Sequence, residues 1–210
     1  PTLGLVTPDR FIPLAEQSGL IVPLGHWILT QAIADLARWD QAELPPVRLA
    51  INLSLAQFRD PALVERLQSA LSVHQVTAAR VELELTETVL MHDLDDAIAI
   101  MARLRGIGLG LAVDDFGTGY SSLSYLHRFP IHSLKIDRSF VSDLKPGQEG
   151  GSAAVVRAIH ALSDSLGIEV IGEGIETHVQ CQALRELGCK LGQGFLFSRP
   201  LPVGEIGRDV

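Results

Sequence analysis

The sequence has 210 residues, enough for one barrel-sized domain and too few for two full ones. Apolar residues make up 47% and charged residues 20%, values that belong to a folded globular chain and exclude a disordered one. Against 17 Lys and Arg stand 25 Asp and Glu, a net charge of −8. That balance argues against a general DNA, RNA or anionic-membrane surface, but leaves room for a small anion carried on metal ions.

Taken in chain order, helical and extended segments alternate. Asp9 caps a first helix through Glu16. The spacing of Trp27, Ile28, Ala32, Ile33, Leu36 and Ala37 predicts a helix over 25–39, with Trp27 and Trp39 packed on the sheet. A first strand follows at 47–53, then a helix over 61–71 with Asp60 as cap and Pro61 at its first position. Strands at 80–85 and 109–114 flank a helix over 93–104, and a fourth strand covers 133–136. A helix over 152–166, a strand at 169–172, a helix over 177–187 and a strand at 191–197 complete the series, with Gly167 and Gly188 closing the last two helices. Most strands are apolar on both parities, as a parallel sheet covered by helices requires. No glycine-rich dinucleotide fingerprint follows the first strand, so the alternation fits a TIM-type barrel better than an open doubly wound sheet.

Polar residues gather where these strands end: Asn52, then Glu84 and Glu87, then Asp114-Asp115, Lys135 and Asp137, Glu173 and Glu176, and Gln193. In a parallel barrel those ends share one rim, where active sites are built. Carboxylates crowded there repel each other unless some are protonated or cations hold them. An oxygen-rich set of this kind suits Mg²⁺ or Mn²⁺, and adjacent carboxylates at Asp114-Asp115 suit two neighbouring ions. Glu82 is read as structural, facing away from the rim residues. The glycine-rich run 116–122 reads as a mobile active-site loop. Cys181 and Cys189 have no ligand spacing and read as reduced thiols of a cytoplasmic domain, and no apolar run approaches the ~18 residues of a membrane span.

The run Asp114-Asp115-Phe116-Gly117-Thr118-Gly119-Tyr120-Ser121-Ser122 resembles the signature loop of EAL-domain cyclic di-GMP phosphodiesterases. Asn52-Leu53-Ser54, Glu84-Leu85-Thr86-Glu87, Leu134-Lys135-Ile136-Asp137, Glu173-Gly174-Ile175-Glu176-Thr177 and Gly192-Gln193-Gly194-Phe195 support it in family order along essentially the whole chain. The resemblance implies a TIM-like (β/α)8 barrel that hydrolyses cyclic di-GMP to linear pGpG with two Mg²⁺ or Mn²⁺ ions. Carried over by position, Asn52, Glu84 and Asp114 hold one ion, and Asp114, Asp115 and Glu173 the other. Lys135 contacts the attacking water, as base or as positioner. Asp137 and Gln193 line the site, with Glu176 beside them, and Glu87 anchors the loop that starts at Asp115.

The Glu-Ala-Leu stretch that names the family is not in the sequence. The resemblance puts it on a strand ahead of Pro1, preceded by one more, where it supplies a Glu to the first ion and an Arg to the substrate phosphate. Six strands where a closed barrel takes eight agree with that. The expectation is therefore a single EAL domain over 1–210, N-terminally incomplete, with exposed strand edges and little activity as an isolated piece. The competing reading is a catalytically inactive cyclic di-GMP receptor of the same fold. Family habit leaves room for a homodimer, an upstream sensor or diguanylate cyclase (GGDEF) domain, and a membrane-anchored parent protein.

Overall fold

A computed structural model of the chain describes residues 4, 6–117 and 123–206. In chain order its elements are α1 (Pro8–Gln17), α2 (Ile21–Gln41), β1 (Leu49–Asn52), α3 (Leu55–Phe58), α4 (Leu63–His74), β2 (Val81–Thr86), α5 (Glu87–Met91) and α6 (Leu94–Gly106). They continue with β3 (Gly110–Phe116), α7 (Leu123–Leu126), β4 (Ser133–Ile136), α8 (Arg138–Val141), α9 (Ser152–Leu166), β5 (Glu169–Gly172), α10 (His178–Glu186) and β6 (Leu191–Gly192). All six expected strands form. Each pairs in parallel with the next, in the order β1-β2-β3-β4-β5-β6. A doubly wound sheet would reverse its strand order at a switch point. This unreversed order gives instead a partial TIM-like barrel, with β1 and β6 as its edges among the described residues.

Side-chain alternation divides the sheet into two faces. Leu83, Leu85, Leu111, Val113, Leu134 and Ile136 point outward into one core with Ile33 and Leu36 of α2, Leu67 of α4, Met101 and Leu104 of α6 and Val156 of α9. The inner face is polar or small: Glu82 and Glu84 on β2, Gly110, Ala112 and Asp114 on β3, Ser133 and Lys135 on β4. Because Gly110 and Ala112 of β3 are small, side chains of β2 and β4 meet across it. Low in the barrel, Ser133 Oγ donates to Glu82 Oε2 at 2.9 Å. Arg48, ahead of β1, spans from Glu82 Oε2 (3.3 Å) to Glu169 Oε2 on β5 (3.4 Å). A Cβ at Gly110 would lie 3.1 Å from that of Glu82. Glu82 is structural, as expected, yet it shares the inner face with Glu84, since residues two apart on a strand always do.

Several local expectations are corrected. The cap of α1 is Thr7, with Pro8 at the first helical position and Asp9 inside the first turn. A turn at 61–62 delays α4 to Leu63, although Asp60 Oδ1 does accept the Ala62 N–H (3.0 Å). The buried stripe of α2 is Ile21, Gly25, Leu29, Ile33 and Leu36, which leaves Trp27 63% exposed rather than packed on the sheet. β6 stops at Gly192 because the chain then folds over Ile175. Leu196 N–H donates to Ile175 O, and Gly194 lies so close that a Cβ would sit 2.2 Å from that oxygen. The one-turn helices α3, α5, α7 and α8 have no counterpart in the sequence expectations; four or five residues are too few to show a helical period.

Candidate active site

Lys135 is the hub of the site. It stands on β4, 3% exposed, and its ammonium lies 2.7 Å from Glu84 Oε1, 3.6 Å from Asp114 Oδ1 and in contact with Glu173 Oε1. β2, β3 and the residue just past β5 thus deliver one carboxylate each to a single cation. Gln193, just past β6, donates its amide N–H to Glu173 Oε1 at 2.5 Å. Asn52 closes the row on the β1 side, where its Cα pairs in register with that of Glu84.

Asp114 and Asp115 are neighbours on a strand and should point to opposite faces. A bulge defeats that rule. Between Val113 and Phe116, β3 spends three steps where β4 spends two from Leu134 to Ile136. Asp115 takes up the extra residue at a left-handed φ of 53°. Its N–H donates to Asp114 Oδ1 (2.9 Å), and oxygens of Asp114, Asp115 and Glu173 all lie within 4.8 Å of one another. Asp137 caps α8 through the Ser139 N–H (2.9 Å) and shares a hydrogen bond with Asp115.

The electrostatics follow from this crowding. Burial raises Glu84 above the usual carboxylate range, with the Asp114 and Glu82 charges adding to it. Burial, then Asp114 and Asp137, does the same to Asp115. Burial and the Asp114 charge push Glu173 up to about 7. Burial on its own would lower the Lys135 ammonium, but its hydrogen bonds to Glu173 and Glu84 prevail and hold it well above its ordinary value. Asp137, despite some burial, is held below the usual range by the Ser139 hydroxyl and then by the Ser139 and Arg138 N–H groups. One ammonium is too little positive charge for this many carboxylates. The all-oxygen donor set, with raised carboxyl groups and 4.8 Å spacing, fits hard divalent cations.

Beyond the cluster, Asp115, Asp137, Glu173, Gln193, Phe195 and Arg199 line a cleft of ≈ 450 Å³. The Arg199 guanidinium stacks 4.8 Å above the Phe195 ring. Sequence reading assigned no role to this pair, and an exposed aromatic followed by Arg four residues later was the signal available. Glu176 lines the same cleft but is exposed, its N–H bonded to Gln180 Oε1. Glu87 is buried at the start of α5. The loop it was expected to anchor runs through 118–122, which lie outside the described residues.

The EAL domain family matches residues 1–200. The bifunctional diguanylate cyclase/cyclic di-GMP phosphodiesterase MucR of Pseudomonas aeruginosa is 42% identical over 98% of this chain and 30% of its own length. The cyclic di-GMP phosphodiesterase NbdA of the same organism is 43% identical over 98% of this chain and 26% of its own. The sequence therefore spans about a quarter to a third of the curated relatives it matches. A solved structure of the MucR phosphodiesterase in complex with cyclic di-GMP superposes with a TM-score of 0.91 at 42% identity, covering 98% of this chain and 83% of that one. By sequence and by fold, the chain belongs to the EAL domain family.

Proposed function

We propose that this domain is a metal-dependent phosphodiesterase that hydrolyses cyclic di-GMP to linear pGpG. The observation that carries the reading is the cluster itself, in which Asp114, Asp115 and Glu173 offer oxygens within 4.8 Å beside Glu84 and a buried ammonium. The substrate comes from the relatives, two of which are named for cyclic di-GMP phosphodiesterase activity. Asn52, Glu84 and Asp114 would hold one Mg²⁺ or Mn²⁺, and Asp114, Asp115 and Glu173 a second. When bound, such ions supply Lewis acidity, lowering the pKa of an attacking water and neutralising phosphate charge.

The protein's own groups do the rest. Lys135, held as an ammonium by Glu84 and Glu173 in the metal-free cluster, would donate hydrogen bonds that orient a water oxygen. Gln193 fixes the rotamer of Glu173, and Asp137 that of Asp115. Glu176 lines the cleft beside the site, and Glu87 would anchor the loop that starts at Asp115. A reducing cytoplasm suits the free Cys181 and Cys189. No helix among the described residues is long and apolar enough to cross a membrane, so anchoring of the parent protein would lie elsewhere in it, as would a sensor or GGDEF domain, and a homodimer is part of the same proposal. Incubating the protein with cyclic di-GMP and Mn²⁺, with and without chelator, and identifying the product by chromatography tests the reading. Chelator-sensitive pGpG formation is the expected result. Tight binding without turnover would instead mark a receptor.

A further inference from the structure

We infer that Gln57 is a positioning residue for Asn52, working through a clamp between α2 and the segment that follows β1. The inference rests on the proposed role of Asn52 as a metal ligand. Among the described residues Asn52 stands exposed at the end of β1, and its neutral amide is drawn to the cluster by no charge of its own. Its direction is therefore set by the backbone on either side. On one side Leu53 N–H donates to Glu84 O (2.9 Å), tying the strand end to β2. On the other, the chain turns at Ser54 into α3, and Gln57 fastens the turn. Gln57 Oε1 accepts both the Ser54 N–H (3.1 Å) and the Ser54 hydroxyl (2.8 Å), and Gln57 N–H donates to Ser54 Oγ (3.4 Å).

This capping box is part-buried, unlike the exposed one of Thr177 and Gln180 at α10. Gln57 is 6% exposed because its amide lies directly on α2 at Gly25. A Cβ at Gly25 would stand 1.8 Å from Gln57 Nε2 and 2.5 Å from Cδ, so any larger residue would displace the Gln57 amide from this place. The next residue, His26, places Nε2 2.5 Å from Asp60 Oδ2. Two successive positions of α2 thus meet the segment 54–60, Gly25 at Gln57 in its middle and His26 at Asp60 at its end. Neither Gly25 nor Gln57 touches the carboxylate cluster, and the proposed reaction leaves both without a role.

The test reads Mn²⁺ affinity by electron paramagnetic resonance of free Mn²⁺, with the melting temperature measured alongside. Gln57→Ala should weaken Mn²⁺ binding about 10-fold, the usual scale for groups that orient a metal ligand. Gln57→Met keeps the volume, loses the acceptor bonds and should weaken it equally; it decides the question if the alanine variant does not fold. Gln57→Glu keeps the acceptor and should restore affinity. Gly25→Ala should match Gln57→Ala, and the double variant should be no worse than either, because removing the Gln57 side chain removes the overlap. A lower melting temperature with unchanged Mn²⁺ affinity in Gln57→Ala or Gln57→Met, while Asn52→Ala weakens binding, overturns the inference and leaves the metal site standing. Unchanged affinity in Asn52→Ala removes the underlying role of Asn52 itself.

Discussion

Glu173 makes the metal-free cluster sensitive to pH, and the size of the effect follows from its surroundings. Burial, then the Asp114 and Glu84 charges, carry its carboxyl from an ordinary 4.5 up to about 7 against the opposing pull of Lys135. A folded-state pKa above the unfolded one means that the native protein holds this proton more tightly. The resulting stabilisation is complete below pH 4.5 and is lost as pH rises through about 7. That interval corresponds to ~3 kcal/mol, or ~6–12 °C in melting temperature for a domain of this length. Thermal melts in chelator should therefore fall by about that much from about pH 5 to about pH 8 through this group. Mg²⁺ favours the ionised carboxylates, so it should raise the melting temperature far more at the higher pH and flatten the profile. Glu173→Gln should flatten it without metal. A Glu173→Gln profile as steep as the wild type, or an equal Mg²⁺ effect at both pH values, would refute the reasoning.

Three further outcomes follow from the same geometry. Lys135→Met leaves Glu84, Asp114 and Glu173 with no buried cation, so urea unfolding in chelator should show a loss of about 3–5 kcal/mol that Mg²⁺ partly restores. Ala112→Val puts two methyl groups under the Glu84–Lys135 and Glu82–Ser133 crossings of β3, and its urea midpoint should reflect a loss of ~1–3 kcal/mol. Asp114→Asn should lower cyclic di-GMP turnover by ~10²-fold or more in a chromatographic assay, since that carboxylate serves both proposed ions.

Much of this fold was legible in the residues. The strands announced themselves through apolar side chains on both parities, and β4 and β5 fell on their expected bounds. The rim was legible too, because residues as unlike as Asn52, Lys135 and Gln193 share only their place at a strand end. What could not be read depends on tertiary geometry. Nothing in Asp114-Asp115 shows that a bulge and a left-handed Asp115 will turn both carboxylates to one side. The span of Arg48 to Glu169 joins residues 121 apart in sequence, and only the curvature of the sheet brings them together. Trp27 misled for a simpler reason. A helix with several apolar residues permits more than one stripe, and the one chosen by packing runs through Gly25, whose lack of a side chain admits Gln57.

On the proposed function the acidic cluster holds divalent ions, with Asp114 shared between two of them. Equilibrium dialysis with Mn²⁺ tests it most directly. Two ions bound per chain in the wild type, and at most one in Asp114→Asn, is the expected result. A wild-type protein that binds no Mn²⁺, or an Asp114→Asn variant that binds it as well as the wild type, would contradict the account.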